Sequence, residues 1–103
     1  MYQIDFQHPI HVYFIGIGGI SMSGLAEILL TENFKVSGSD SQKSALTDAL
    51  EQKGAHIFIG QKTQNITPDI DLVVYTSAIH PDNPEYIAMK KLEIPCLSRA
   101  ELL

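Results

Sequence analysis

A glycine-rich stretch near the N-terminus has the residue types and spacing needed to hold a diphosphate. It reads Gly16-Ile17-Gly18-Gly19-Ile20-Ser21 and lies between an apolar run and a stretch with helical periodicity. Gly16 suits a tight turn, and Gly18 lets the backbone approach a ligand because it has no Cβ. The first turn of the following helix presents unpaired N–H groups and the positive end of its dipole. We therefore expect diphosphate contacts from consecutive residues: Gly16, Ile17, Gly18, Gly19, Ile20, Ser21, Met22 and Ser23.

The alternative is a glycine turn that only packs a helix against a strand. Ser21 also departs from the dinucleotide-binding fingerprint, which has a third small residue, usually glycine, at this point for helix-to-strand packing. Its hydroxymethyl group would enter a crowded turn, or it would donate a hydrogen bond to a phosphate oxygen.

A second set of polar residues follows two other predicted strands. Asp40 ends a strand near the place where such folds put the carboxylate that accepts hydrogen bonds from a ribose, although a turn or helix-capping aspartate is the alternative. Ligands of open α/β sheets bind at the carboxyl ends of the strands. We expect ribose and base contacts from Ser39, Asp40, Thr76, Ser77, Ala78 and His80.

Other chemistry is not indicated by the sequence. His8, His11 and His56 are interpreted as polar residues at strand ends, and Cys96 as a small buried hydrophobic residue. The sequence has no Gly-Lys-Ser/Thr P-loop and no nucleophile beside a base, so we predict a binding module with no catalytic residue and no metal site.

The composition predicts one small domain, residues 1–103, because 45% of its residues are hydrophobic and can fill one core. The net charge of −5 is spread without runs of either sign, which argues against a nucleic-acid or membrane surface. The N-terminus resembles no signal peptide, and no apolar stretch approaches the roughly 20 residues of a membrane span. We expect a cytoplasmic protein.

Apolar periodicity predicts strands that alternate with helices. The predicted strands are 11–17, 35–40, 56–60, 72–76 and 94–98. Helices are predicted from Ile20, from an N-cap at Ser44 to Gly54, and from Pro84. The apolar faces of the second and third helices are assigned to Ala45, Leu46, Ala49 and Leu50, and to Ile87, Ala88 and Leu92. This pattern predicts an α/β, Rossmann-like three-layer domain with a mainly parallel five-stranded sheet and helices on both faces.

Five segments resemble the Mur ligase family, in the family's order and over nearly the whole chain. They are residues 11–26 (HVYFIGIGGISMSGLA), 37–40 (SGSD), 76–79 (TSAI), 82–85 (DNPE) and 98–103 (SRAELL). Two positions depart from the family pattern, which usually has glycine at Ser21 and histidine at Gln61. The last segment resembles the end of the family's first domain, and its residues 99–103 look like the opening of a helix. We therefore expect an N-terminal domain of a longer protein.

The resemblance implies a three-domain enzyme whose N-terminal domain binds the UDP part of UDP-N-acetylmuramate. A central domain would use ATP and magnesium to phosphorylate the lactyl carboxylate, and L-alanine, bound by the C-terminal domain, would attack it during peptidoglycan synthesis. The chain alone is expected to be inactive. Three alternatives stay open: an NAD-binding domain of a dehydrogenase or regulatory protein, the tripeptide-recycling branch of the family, and a structural domain with no ligand. The sequence Gly18-Gly19-Ile20 favours the alanine-adding branch over the recycling branch.

Overall fold

The computed structural model describes residues 5, 7–76 and 78–99. They form a five-stranded sheet in the order β3-β2-β1-β4-β5, and every neighbouring pair of strands is parallel. The strands are β1 (His11–Ile15), β2 (Lys35–Asp40), β3 (His56–Ile59), β4 (Leu72–Tyr75) and β5 (Cys96–Ser98). The helices are α1 (Ile20–Thr31), α2 (Ala45–Gln52) and α3 (Pro84–Lys91), with a short 3₁₀ turn at Thr63–Asn65. The predicted α/β fold is confirmed.

Two apolar clusters fill the space on the two faces of the sheet. The α1 and α2 side contains Val12, Phe14, Met22, Leu29 and Leu50 among others, all nearly inaccessible to solvent. The α3 side contains Tyr13, Val73, Ala88, Met89 and Ile94 among others. Successive β1 residues contribute to opposite clusters because side chains alternate along a strand. Both faces of the central strands are thus buried, as a parallel sheet requires.

The strand order reverses on the two sides of β1, because the connection from β3 carries the chain back across the sheet to β4. From β1 the chain moves outward through β2 to β3, and it then returns to the other side of β1 to form β4 and β5. Right-handed crossovers in opposite directions put α1 and α2 on one face and α3 on the other. This reversal is a topological switch point, and crevices at such points, outside the carboxyl ends of the strands, are where open α/β sheets bind ligands.

Local sequence signals set the helix starts. Ser44 and Thr47 form a reciprocal capping box, with Thr47 N–H 3.3 Å from Ser44 Oγ and Ser44 N–H 2.9 Å from Thr47 Oγ1. Asn83 caps α3 by accepting the Glu85 N–H at 2.9 Å, and Pro84 occupies the first helical position, where its missing N–H costs nothing.

The residues predicted to form the inward faces of α2 and α3 were partly wrong. On α2, Thr47 and Leu50 are buried, while Ala45, Leu46 and Ala49 are exposed. On α3 the buried residues are Glu85, Ala88 and Met89, whereas Ile87 and Leu92 are exposed. On α3, assignment of the inward face by apolar residue type fails because hydrogen bonds hold the Glu85 carboxylate in the interior, and these bonds fix the rotation of the helix.

Two smaller expectations also need correction. The strand β1 ends at Ile15 rather than at residue 17, because Gly16 has a φ of +84°, outside the range of a strand. Cys96 lies on β5 as expected but is only partly buried. Of the helix predicted at 99–103, only Arg99 is among the described residues. None of the described helices has the length and apolar character needed to cross a bilayer.

Candidate nucleotide site

The glycine turn, residues 16–19, is tied to the carboxyl end of β2 by its own backbone N–H groups. Those of Gly16 and Ile17 both donate to the Ser39 carbonyl at 2.8 Å. The N–H of Gly18 donates to Asp40 Oδ2 at 2.9 Å. The turn is therefore fixed by β2, and these N–H groups are already used within the fold.

The first turn of α1 retains donors that could face a ligand. The Gly19 N–H approaches the Gly16 carbonyl at 3.3 Å, and Ser23 N–H donates to the Gly19 carbonyl at 2.7 Å. No side chain caps α1 at Gly19, and within the described part of the chain no acceptor takes the N–H of Ile20, Ser21 or Met22. These consecutive groups at a helix N-terminus are suited to an anion. Ser21 is exposed, so its side chain does not crowd the turn.

Arg99 places a positive charge beside the first turn of α1. It directly follows β5, and its Nε lies 3.5 Å from the Ser21 carbonyl oxygen. Arg99 was not predicted as a site residue, because residues 98–103 were interpreted as the end of a domain and the opening of a helix. The available signal was its position directly after the last strand, at the sheet edge that carries the other site residues.

Asp40 combines a structural contact with remaining capacity for a ligand. Its Oδ2 accepts the Gly18 N–H, and its Oδ1 accepts the Gln42 N–H at 3.2 Å. A carboxylate has about four acceptor positions, and this side chain is only partly buried, so ribose hydroxyls could still donate to it.

A cleft of about 230 Å³ opens at the switch point between β1 and β4. It is lined by Ile15, Gly16, Gln61, Thr76, Ala78, Ile79, His80 and Asn83. The structure thus brings together Thr76, Ala78 and His80 from the predicted ribose and base set, while Ser77 lies outside the described residues. Ser39 is completely buried below this edge. Gln61 was not predicted as a lining residue, and its Oε1 accepts Asn83 Nδ2–H at 2.6 Å.

A buried carboxylate in the first turn of α3, next to the cleft residue Asn83, is the main feature that the sequence did not predict. Glu85 is 0% exposed and accepts hydrogen bonds from the hydroxyls of Ser39 (2.5 Å) and Tyr13 (2.9 Å). It also accepts from Asn65 Nδ2 at 2.8 Å and from the Lys62 N–H at 3.2 Å. In sequence, an acidic residue after Asn-Pro is typical of an exposed first turn.

The remaining histidines lie elsewhere. His11 is buried at the beginning of β1, with Nε2 2.7 Å from Ser37 Oγ, and it lines a separate cavity of about 300 Å³ together with His56. His8 is exposed and pairs with Asp5. Among the described residues no group of three or more His, Cys, Asp or Glu side chains is arranged to hold a metal ion.

Tyr13 yields a testable pH effect. Burial raises the pKa of its hydroxyl above the ordinary value of about 10, and the neighbouring Glu85 carboxylate adds to this. In the unfolded chain this tyrosine ionises near pH 10, while in the fold it stays protonated. Its contribution to stability is complete below that pH and is lost as the pH rises, by up to about 1.4 kcal/mol per pH unit.

Urea unfolding of the wild type and Tyr13→Phe between pH 8 and pH 11 measures this effect. We expect the free energy of unfolding to fall more steeply above pH 10 in the wild type than in Tyr13→Phe. The other ionisable groups are shared by the two proteins and cancel in the difference. Equal slopes would show that Tyr13 ionises normally in the fold.

The sheet order, with its glycine turn after β1 and its switch point between β1 and β4, defines a Rossmann-like α/β domain. A family model described as "Mur ligase family, catalytic domain" matches residues 11–103. The chain therefore belongs to the Mur ligase family, and the resemblance found in the sequence is confirmed.

Individual relatives agree with this assignment. A protein of Lachnospira eligens named UDP-N-acetylmuramate–L-alanine ligase is 65% identical over 103 residues, covering 100% of this chain and 22% of that protein. The crystal structure of the UDP-N-acetylmuramate–alanine ligase MurC from Thermotoga maritima matches with a TM-score of 0.84 and 33% identity, over 88% of this chain and 21% of that one.

A ligase from Neisseria meningitides that acts on UDP-N-acetylmuramate and L-alanyl-gamma-D-glutamyl-meso-diaminopimelate matches with a TM-score of 0.80 at 28% identity. The match covers 89% of this chain and 29% of the Neisseria chain. The chain spans about 22% of the length of its alanine-ligase relative from Lachnospira.

Proposed function

We propose that this chain is the N-terminal domain of a UDP-N-acetylmuramate–L-alanine ligase and that it binds the UDP part of UDP-N-acetylmuramate. The observation that carries the proposal is the row of open N–H groups at Ile20, Ser21 and Met22, next to the cleft at the switch point. The name of the Lachnospira relative, at 65% identity over the whole chain, supports the alanine-adding branch over the recycling branch.

In this proposal the diphosphate lies against the beginning of α1. The free N–H groups donate to its oxygens, the helix dipole favours its charge, and the Arg99 guanidinium approaches from β5. The predicted glycine-turn residues act mainly through shape, because the N–H groups of Gly16, Ile17 and Gly18 bind within the fold.

The ribose would donate to the Asp40 carboxylate, and the uracil would enter the cleft. Small groups at Thr76 and Ala78 leave room for a flat base, and His80 and Gln61 offer polar atoms at its wall. Ser77 remains a predicted contact. Ser39 takes part through its backbone carbonyl, which holds the glycine turn.

For the whole enzyme we propose ATP-dependent phosphorylation of the lactyl carboxylate, followed by attack of the L-alanine amine on the acyl phosphate. The sequence has no Gly-Lys-Ser/Thr P-loop, and we propose that the other domains of the enzyme carry out both steps. This domain would contribute by binding the remote UDP end, which orients the carboxylate for reaction. The proposal places the protein in the cytoplasm, where ATP is available.

Nucleotide preference tests this function. UDP, ADP and NAD all present a diphosphate and a ribose, so discrimination must come from the base. A cleft matched to the imide of uracil leaves the adenine amino group unpaired, which costs about 1–3 kcal/mol. We expect UDP to bind at least about tenfold more tightly than ADP or NAD, with a Kd on the order of 0.1–1 mM.

Calorimetric or NMR titration of the chain with the three nucleotides gives the answer. UMP is a useful control, since it keeps the base and ribose but lacks the second phosphate, and it should bind more weakly than UDP. NAD binding as tight as UDP binding would instead support the second candidate, a dinucleotide domain, which Asp40 and the sheet order also suit.

A further inference from the structure

We propose that Glu85 is a positioning residue for the nucleotide site and holds both the glycine turn and the Gln61 wall of the cleft in place. Its carboxylate is fully buried and accepts four hydrogen bonds, from β1, from β2 and from the connection after β3. The Glu85 side chain does not itself line the cleft. The choice of UDP as the ligand rests on the proposed function, whereas the contacts of Glu85 do not depend on it.

One line of contacts leads from Glu85 to the glycine turn. The Ser39 hydroxyl donates to Glu85 Oε1 at 2.5 Å, which fixes Ser39 at the carboxyl end of β2. The carbonyl of the same residue accepts the N–H groups of Gly16 and Ile17. Displacement of Ser39 would therefore move the first residues of the turn.

A second line of contacts leads to the wall of the cleft. Glu85 Oε2 accepts the Lys62 N–H and the Asn65 amide, and Asn65 also donates to the Gly60 carbonyl at 3.1 Å. These bonds fix the backbone on both sides of Gln61. The Gln61 side chain is in turn held by Asn83, the N-cap residue of the helix that carries Glu85.

The chemistry of the group explains why a carboxylate occupies this position. All partners of its side chain are donors, and a carboxylate presents acceptors on both of its oxygens. Its place in the first turn of α3 also puts the negative charge near the positive end of the helix dipole. A buried charge of this kind is costly unless every hydrogen bond is made, so it specifies one arrangement of the loops it joins.

The variant Glu85→Gln tests the proposal because it keeps the shape but replaces one acceptor with an amide donor that faces other donors. Met89→Ala is the matched control: it removes a fully buried side chain from the same helix without touching the network. We expect both variants to be less stable than the wild type. UDP affinity should fall about tenfold in Glu85→Gln and change less than about twofold in Met89→Ala.

NMR hydrogen exchange in the absence of nucleotide gives a second readout. The amides of Gly16, Ile17 and Lys62 should exchange faster in Glu85→Gln and not in Met89→Ala, when both are measured well below their unfolding transitions. If Glu85→Gln does not fold, Ser39→Ala removes only one donor to the carboxylate and should still weaken UDP binding by about threefold.

The outcomes separate this inference from the proposed function. Wild-type UDP affinity in Glu85→Gln, or in Ser39→Ala if only that variant folds, would overturn the positioning role. An equal loss of affinity in Met89→Ala would do the same, since the effect would then follow general stability. If the wild type itself binds no UDP, the proposed function fails, and the exchange rates of Gly16, Ile17 and Lys62 still decide whether Glu85 positions the loops.

Discussion

Replacement of Gly18 with valine is expected to weaken UDP binding by at least about thirtyfold while most of the fold is retained. A Cβ at this position would lie 2.6 Å from Asp40 Oδ2 and 3.2 Å from Thr47 Cγ2. The carboxylate would have to move away, which breaks its hydrogen bond with the Gly18 N–H and shifts the residue proposed to bind the ribose. The branched side chain would also obstruct the approach of a diphosphate to the turn.

The fold should survive because the closest atom belongs to the end of an Asp side chain at the edge of the sheet, which can rotate. NMR titration with UDP measures the affinity, and circular dichroism measures the retained structure. Gly24→Ala is the matched control, since it lies on the exposed side of α1 with nothing within 4 Å of the added Cβ, and it should bind UDP normally. If UDP caused the same chemical-shift changes in Gly18→Val as in the wild type, the proposed binding site would be wrong.

Gly38→Ala is expected to destabilise the protein by about 3 kcal/mol or more, an effect on folding rather than on binding. A Cβ here would lie 2.7 Å from the carbonyl oxygen of Phe14 and within 2.9 Å of two Ile17 atoms. Gly38 is paired with Phe14 in the centre of the sheet, where the opposing atom is backbone and cannot turn aside. Relief of the clash would require separation of β1 and β2 or displacement of Ile17 from the core.

Thermal and urea unfolding measure this difference. In a domain of this size a loss of 3 kcal/mol lowers Tm by roughly 10–20 °C. Gly24→Ala again serves as the control, and it should raise stability by about 0.5–1 kcal/mol because alanine is the better residue in a helix interior. A stability of Gly38→Ala within about 1 kcal/mol of the wild type would show that the strands separate more easily than the structure indicates.

The sequence by itself determined the elements and their order. Continuous apolar runs indicated β1 and β4, because a strand buried on both faces needs apolar side chains in both directions. Ser44, Pro84 and the glycine turn marked helix starts, since capping and φ preferences act within a few residues. Alternation of strands and helices then restricted the topology to a parallel sheet, and the carboxyl edge followed as the place for a site.

Only the tertiary structure decided which groups at that edge remain open to a ligand. Gly16, Ile17 and Gly18 were expected to contact a diphosphate, and in the fold their N–H groups donate to Ser39 and Asp40 on the neighbouring strand β2. Arg99 reaches the beginning of α1 from the far end of the chain. The buried side chain of Glu85 meets Tyr13, which is distant in sequence but adjacent in the fold. Periodicity and capping signals extend over a few residues, whereas the use of a hydrogen-bonding group depends on partners that only the packed sheet brings within hydrogen-bonding distance.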